Sequence, residues 1–254
     1  MFKISMEAKL FSDLLKAINA ISDEAVFEIT PDGVKAAGIE PTYIALVALE
    51  LSKERLAECE CSATGAKFAV HIPKFRKKLG HLRSGDLLTL EYGGETEFKA
   101  RIENLVNGGA RSFAFCMPET LRVLRIPQMP RVEFAAKVEI DASAFKSIMR
   151  FFRHFADFVK ITVDPETITF SARKNNDEAQ MVFHKDGRIA LNIEAGKEVT
   201  AYYDPKYLAR IARANPMMST EIELELSSAN RLMKLSIPMH LGKLEYFIAE
   251  KLVR

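Results

Sequence analysis

The chain has only three cysteines, Cys59, Cys61 and Cys116, in 254 residues. Cys59 and Cys61 form a C-x-C pair, which lacks the C-x-x-C spacing and the second ligand pair of a structural zinc site. Nothing indicates a disulfide framework, so a reducing compartment is expected. The five histidines are scattered without the spacing of metal ligands. We therefore expect neither a metal nor another cofactor.

Long apolar stretches are also missing. The longest clean apolar run, from Tyr43 to Leu49, is far shorter than the roughly 20 residues that cross a membrane as a helix. The N-terminal sequence has no apolar core of a signal peptide. A soluble intracellular protein is the expectation.

Motifs of nucleotide and acyl chemistry are absent from the sequence as well. It contains no G-x-x-x-x-G-K-[ST], no G-x-G-x-x-G and no G-x-S-x-G. Its 34 acidic residues include no pair that stands out for acid–base catalysis. We therefore expect no enzymatic activity and predict no catalytic residue.

What the chain does have is an uneven distribution of charge. It carries 36 Lys and Arg against 34 Asp and Glu, a net charge of +2. The spacing of apolar residues predicts helices over Ala8 to Asn19, Pro73 to Arg83, Ala142 to Phe155 and Asp204 to Asn215. These windows hold 13 of the 36 cationic residues and two acidic ones, Asp13 and Asp204. Such helix surfaces suit a polyanion, although an ordinary solvated face is the better explanation of any single helix.

Each predicted helix has polar residues at i, i+4 and i+7, which places them on one side. The sets are Lys9, Asp13 and Lys16; Lys74, Lys78 and His81; Lys146, Arg150 and Arg153; and Lys206, Arg210 and Arg213. The predicted DNA-facing residues are the cations of these sets together with Lys77. We expect Asp13 to reduce the contribution of the first helix.

Alternating sequences predict many strands between the helices, and the predicted fold class is α+β with mostly antiparallel sheets. The predicted strands are Phe2 to Met6, Val26 to Thr30, Tyr43 to Leu51, Leu87 to Tyr92, Phe98 to Ile102, Arg111 to Met117, Val132 to Ile140, Phe158 to Val163, Thr167 to Ala172, Ala179 to His184, Glu221 to Leu226, Leu232 to Ile237 and Leu244 to Ile248.

The order of strands and helices occurs twice, which indicates an internal repeat. The polar set of the first helix matches that of the third, with Lys9 aligned to Lys146, and the set of the second helix matches that of the fourth at a similar spacing. The turn prolines Pro31 and Pro165 are separated by nearly the same distance along the chain.

The repeat and the prolines predict the domain bounds. We predict an N-terminal domain over residues 1–117 and a C-terminal domain over 132–254. Residues 118–131 contain three prolines, which disfavour regular structure, so we predict an extended connector there.

With this organisation, the sequence resembles the sliding clamps of archaea and eukaryotes, the proliferating cell nuclear antigen family, over nearly its whole length. The matching segments are Met1-Phe2-Lys3, Asp32 to Lys35, Ile39 to Val47, Leu124 to Pro127 and Gly242 to Leu252. Their order and spacing carry the resemblance, since no single segment is diagnostic.

The resemblance implies the DNA-clamp fold, with two similar domains each having two helices packed on antiparallel sheets. It implies a closed ring of three chains, a homotrimer, whose helices line a hole around duplex DNA. The chains would join by edge-strand pairing. The implied subunit-interface residues are Arg111, Phe113, Phe115, Ala179, Met181 and Phe183.

The family also implies a pocket for short peptides of partner proteins. Those partners are DNA polymerase, flap nuclease, ligase and the clamp loader. If the source is archaeal, the implied location is the cytoplasm, in association with the nucleoid. The implied pocket positions are Ile39, Tyr43, Ile44, Leu46, Leu124, Ile126, Phe247, Ala249 and Leu252, among which Leu46 and Phe247 also fit simple core packing.

Three features differ from the usual pattern of the family. The net charge is positive and the connector carries Arg122, Arg125 and Arg131, whereas family members are usually acidic, and Glu250 stands where proline is common.

The leading hypothesis is a DNA polymerase processivity factor. A clamp-like subunit of a heteromeric ring that acts as a protein-interaction scaffold is the alternative, and a basic duplex-binding enzyme is a more distant one. Phe151 could also stack on unpaired bases.

Overall fold

The computed structural model describes residues 1–93, 97–104, 106, 108–116, 132–214, 219–229, 231–240 and 242–252. Four α-helices and eighteen strands form within these residues. The strand pairs with a defined register are antiparallel. The predicted α+β class is therefore confirmed. The chain divides into two compact units, the first containing Met1–Pro41, Val47–Gln128 and His240–Lys243, the second Thr42–Leu46, Met129–Met239 and Leu244–Arg254.

The nine described strands of the first unit form two runs of neighbours, β5-β1-β7-β8-β9 and β4-β3-β2-β6. Strands β9 and β5 are the outer strands of the first run. The elements are β1 (Phe2–Glu7), α1 (Ala8–Asn19), β2 (Glu24–Thr30), β3 (Gly33–Ile39), β4 (Ala45–Ser52), β5 (Glu58–Cys61), β6 (Ala66–His71), α2 (Ile72–Leu79), β7 (Asp86–Tyr92), β8 (Glu97–Asn104) and β9 (Ala110–Cys116), with a short 3₁₀ turn at Lys53–Arg55.

The second unit repeats this order, with every strand number raised by nine. Its runs are β14-β10-β16-β17-β18 and β13-β12-β11-β15. The elements are β10 (Ala136–Asp141), α3 (Ala142–Phe155), β11 (Val159–Val163), β12 (Thr167–Lys174), β13 (Asp177–His184), β14 (Ala190–Ala195), β15 (Val199–Tyr203), α4 (Pro205–Ala214), β16 (Glu221–Ser227), β17 (Leu232–Met239) and β18 (Gly242–Ala249).

The strand registers define the repeat more closely than the polar residues do. Strand β1 pairs with β7, and β10 pairs with β16 in an equivalent register, so Phe2 corresponds to Ala136. Helices α1 and α3 begin at the same distance from these two residues. Lys9 therefore corresponds to Ser143, and the predicted match of Lys9 with Lys146 is wrong by about one helical turn. A polar pattern at i, i+4 and i+7 still matches a copy of itself that is displaced by one helical turn. The polar residues alone therefore could not fix the alignment of the two helices.

Apolar spacing explains why α1 and α3 form where they do. Phe11, Leu14, Leu15 and Ile18 are buried in α1, and their counterparts Phe145, Ile148, Met149 and Phe152 are buried in α3. This i, i+3, i+4, i+7 pattern produces one apolar face. Both helices have the bounds that the sequence predicted, and the polar residues lie away from this face.

Capping residues determine where α3 and α4 begin and where α2 ends. Asp141 and Asp204 accept hydrogen bonds from the Ala144 and Lys206 amides, at 2.6 and 2.8 Å, so α3 and α4 begin beside carboxylates. Helix α2 ends at Leu79 because Gly80 adopts a left-handed φ of 68°. The prediction that this helix reaches Arg83 is therefore wrong, and His81 lies beyond it.

Several predicted strand bounds also need correction. Strand β4 begins at Ala45, not Tyr43, and β10 begins at Ala136, not Val132. Tyr43 has a positive φ of 61°, which is incompatible with an extended strand. The strands missing from the prediction are β3, β5, β6, β14 and β15.

Candidate functional site

Most of the predicted DNA-facing cations are on the surface of the structure. The half-buried ones are Lys9, Lys16 and Lys146. The exposed ones are Lys74, Lys77, Lys78, Arg150, Arg153, Lys206, Arg210 and Arg213. The cations of each set lie outside the buried apolar face of their helix, so the helices of both units present positive charge to solvent.

The cations of α1 are partly neutralised within their own helix. Asp13 forms ion pairs with Lys9, one turn before it, and with Lys16, whose Nζ lies 2.6 Å from Oδ1. Partial burial would raise the pKa of Asp13, but the hydrogen bonds from Lys16 and Lys9 outweigh it and lower the pKa. Asp13 therefore remains charged near neutral pH and reduces the positive field of α1.

Weaker contacts orient some cations of the other helices. The Arg210 guanidinium lies 4.6 Å from the centre of the Tyr207 ring, and the Lys78 ammonium lies 5.1 Å from the Phe115 ring. Both geometries are typical of cation–π interactions, which leave the charge available. Lys206 lies 3.8 Å from a carboxylate oxygen of Asp157, and both side chains are highly exposed. Such a surface pair contributes little and is screened by salt.

The predicted subunit-interface residues lie on two outer strands. Strand β9 pairs with β8 at one end of its run, and β13 pairs with β12 at the end of another. Alternate residues of β13, namely Ala179, Met181 and Phe183, are half-buried, and Val182 between them is exposed. Outer strands of this kind offer backbone groups for pairing with another chain.

An aromatic cluster in the first unit connects β9 to its core. The Phe115 ring is 5.2 Å from that of Phe98 and 4.8 Å from that of Phe75, and Phe115 is buried. Phe113 is half-buried, whereas Arg111 is exposed and donates to the His81 carbonyl oxygen at 2.7 Å. Phe113 and Arg111 are therefore reachable from outside, while Phe115 stabilises the strand from within.

The second unit brings together several of the predicted peptide-pocket residues. Tyr43, Ile44 and Leu252 are 82%, 42% and 67% exposed. The Ala249 amide donates to the Ile44 carbonyl oxygen at 2.8 Å, which joins the two segments. Phe247 is buried, and Leu46 is half-buried, consistent with core packing. Ile39 is half-buried in the first unit, and Leu124 and Ile126 lie outside the described residues, as does the predicted connector.

The C-terminal segment is anchored by contacts that the sequence did not indicate. The Tyr202 amide donates to Glu250 at 3.3 Å, and the Lys251 amide donates to the Tyr202 carbonyl oxygen at 2.7 Å. Burial, with a smaller effect of Glu250, raises the pKa of Tyr203 well above its usual value. These partners are far apart in sequence, and no local pattern signals such a contact.

The described part of the chain offers neither a metal site of three or more ligands nor a membrane-spanning helix. No group of three or more His, Cys, Asp or Glu side chains there is arranged to hold a metal ion. Among the described helices, none is both long enough and apolar enough to cross a membrane.

Two family models match this sequence. Residues 1–98 match the N-terminal domain of proliferating cell nuclear antigen, and residues 128–251 match its C-terminal domain. A DNA polymerase sliding clamp of Methanocella arvoryzae is 25% identical over 84% of this chain and 83% of its own length. One from Methanococcoides burtonii is 22% identical over 99% of both chains. A crystal structure of PCNA from Thermococcus kodakaraensis superposes with a TM-score of 0.88 at 22% identity, covering 99% of this chain and all of the other.

Proposed function

We propose that this chain, which belongs to the proliferating cell nuclear antigen family, acts as a sliding clamp that encircles duplex DNA and raises the processivity of a DNA polymerase. The observation that carries the proposal is the concentration of exposed cations on helices α2, α3 and α4. Lys and Arg attract phosphates without reading bases. Contacts of this kind are interchangeable along a duplex, so they permit sliding.

Closure of the ring rests on the outer strands. We propose that β9 of one chain pairs with β13 of the next, and that three copies close into a homotrimer. The interface residues are those predicted on these strands, among which Phe113, Met181 and Phe183 supply apolar contact. A closed ring leaves a circular duplex only when an interface opens, so retention depends on topology more than on affinity.

Partner binding is assigned to the exposed apolar positions of the second unit. Tyr43, Ile44 and Leu252 expose apolar side chains. The hydrogen bond from the Ala249 amide to the Ile44 carbonyl oxygen joins the segment of Tyr43 and Ile44 to the C-terminal segment. Short peptides with apolar anchors would bury these side chains. Polymerase, flap nuclease, ligase and clamp loader are the proposed partners, and tethering would raise their effective concentration at the DNA.

Retention on circular DNA tests the proposal directly. A clamp loaded onto nicked circular DNA should remain bound through gel filtration at moderate salt, and linearisation of that DNA should release most of it. Equal release from the two forms would reject topological tethering. Sedimentation velocity supplies the oligomeric state: a stable trimer is expected, whereas a monomer at micromolar concentration would favour a subunit of a heteromeric ring.

A further inference from the structure

The Cys-x-Cys pair of β5 places two thiols on one face of the strand. Cys59 and Cys61 pair with Ile4 and Phe2 of β1, and side chains at i and i+2 of a strand point the same way. Cys59 is buried at 8% exposure, Cys61 is half-buried, and both are free thiols. Because β5 is an outer strand, the pair lies at the margin of the core of the first unit.

The second unit shows that the fold does not require thiols at these positions. In the alignment that the strand registers define, the counterparts of Cys59 and Cys61 are Ile193 and Ala195 of β14. Ile193 is buried and Ala195 is half-buried, like the cysteines that they match. Apolar side chains therefore fill the same places in the repeat, and packing does not explain the two sulfurs of the first unit.

The surroundings of the two sulfurs favour a soft ligand. The side chains of β1 on this face are Phe2, Ile4 and Met6, which are buried and apolar. The carboxylates of β5 point to the opposite face, where Glu58 forms an ion pair with Lys3 at 2.7 Å. A cation at the pair would therefore meet thiolates and apolar side chains, an environment that suits Cu(I) better than Mg²⁺ or Ca²⁺.

The spacing of the pair discriminates between a metal bridge and a disulfide. Residues i and i+2 of a strand are about 6.5 Å apart, whereas a disulfide needs β-carbons about 3.8 Å apart. A disulfide would therefore require the backbone to move. Two thiolates around one ion are about 4.6 Å apart, for metal–sulfur bonds of about 2.3 Å. Side chains lean along the strand direction, so Cys59 and Cys61 can reach this separation within the existing strand.

The electrostatic surroundings are compatible with two thiolates around one monovalent ion. Burial, followed by the charge of Cys61, raises the pKa of the Cys59 thiol, and Lys53 acts in the opposite direction. Cys59 is therefore a thiol near neutral pH, and its sulfur makes a weak hydrogen bond to the Thr30 carbonyl oxygen at 3.9 Å. A metal ion that binds displaces the thiol protons, and the charge of Lys53 offsets the remaining negative charge.

We propose that Cys59 and Cys61 form a two-coordinate site for a soft monovalent cation of the Cu(I) class. Each thiol releases its proton to solvent and each sulfur donates one electron pair to the ion, so nothing is oxidised or reduced. Zn²⁺ is disfavoured because it takes four ligands in a tetrahedron. The site requires neither DNA nor a second copy of the chain, so it is independent of the proposed clamp function.

The test is competition for Cu(I) between the whole chain and the chromophoric chelator bicinchoninate, without oxygen and with ascorbate as the reductant. The wild type should bind one equivalent of Cu(I). Cys61→Ala, which copies Ala195 of the second unit, should lower the affinity about a hundredfold, because a chelating pair becomes a single ligand. Cys116→Ser is the matched control, since it removes the third cysteine, in β9 at the opposite end of the run, and should bind as the wild type does.

Two further measurements connect the bound ion to the two sulfurs. X-ray absorption at the copper edge should show two sulfur neighbours, and Cu(I) should raise the thermal unfolding temperature of the wild type but not of Cys61→Ala. Thermal melting without copper identifies a folding defect, and Cys61→Ser then replaces Cys61→Ala. Equal Cu(I) affinity of the wild type and Cys61→Ala would overturn the site, as would an equal loss in Cys116→Ser. Tighter binding of Zn²⁺ than of Cu(I) would overturn the proposed class of ion.

Discussion

Helices α1 and α3 hold the same place in the two units of the repeat, but their polar sides differ. In α1, Asp13 binds both Lys9 and Lys16. The counterpart of Asp13 in α3 is Ser147, and within the described residues neither Arg150 nor Arg153 has an ion pair. Helix α1 offsets part of its positive charge with one carboxylate, whereas α3 leaves its arginines available.

Helices at equivalent positions of the repeat can therefore present different charges to solvent. The apolar faces of the two helices correspond residue by residue because each must fill the same place in a core. Their exposed sides have no such constraint, and a single carboxylate changes the charge presented to solvent. We infer that the second unit supplies more of the attraction for DNA than α1 does.

The largest effect should follow from reversing cations of the second unit. Arg150, Arg153, Arg210 and Arg213 changed together to Glu should weaken association with duplex DNA by about tenfold or more at low salt and flatten its salt dependence. Fluorescence anisotropy against salt concentration measures both quantities. A matched pair of double variants isolates the cause: Lys9 and Lys16 to Glu should have a clearly smaller effect than Arg150 and Arg153 to Glu, because the two lysines are already paired with Asp13.

Assembly is the control for both sets of reversals, since neither lies on the outer strands. Sedimentation should therefore remain as in the wild type. If reversal of the α1 pair proves as damaging to DNA binding as reversal of the second-unit arginines, the inferred difference between α1 and the second unit is wrong.

A smaller effect in the opposite direction is expected from Asp13→Ser, which makes α1 resemble α3. Loss of the carboxylate releases Lys9 and Lys16, so DNA affinity at low salt should rise severalfold, and the gain should disappear at high salt. Asp13→Glu is the control that retains the charge. No gain in affinity with Asp13→Ser would mean that α1 does not approach DNA.

The sequence predicted those elements whose apolar spacing is regular. The bounds of α1 and α3 were correct because each has four large apolar residues at helical spacing. Strand β3 was missed because Gly33, Ala36, Ala37 and Gly38 give it little alternation of large side chains. Gly33 also has a positive φ and lies so close to the Leu51 carbonyl that a side chain would not fit. Packing of this kind is invisible in a local pattern.

For the candidate site, the surface position of the cationic residues was predictable from their charge and helical spacing, whereas their contact with DNA stays a prediction. The pairing of Asp13 with its two neighbouring lysines was expected from its position between them. Contacts of Glu250 with Tyr202 were not predictable, since they join distant segments. The correspondence of Asp13 with Ser147 became visible only when the strand registers corrected the alignment of α1 with α3 by about one helical turn.

The smallest effect concerns the hairpin turns that open β3 and β12. In the second unit, Asp164 accepts hydrogen bonds from the Glu166 and Thr167 amides at 2.8 and 2.7 Å, and from the Thr167 hydroxyl at 2.7 Å. Its counterpart Thr30 accepts from the Asp32 amide at a longer 3.3 Å. Asp164→Ala should therefore reduce the free energy of unfolding by about 1 kcal/mol at neutral pH, and Thr30→Ala by less.

The pH dependence of the unfolding free energy tests whether the charge of Asp164 causes its larger contribution. The Thr167 hydroxyl, followed by the Glu166 amide, lowers the pKa of Asp164 below its usual value near 3.8. The carboxylate therefore contributes stability above that usual pKa, and the contribution is lost as pH falls through the lowered folded-state pKa. Urea unfolding should show the Asp164→Ala deficit in full at pH 7 and little of it in strong acid, whereas the Thr30→Ala deficit should not change with pH. A deficit of Asp164→Ala that is equal at both pH values would show that the turn depends on the shape of the side chain and not on its charge.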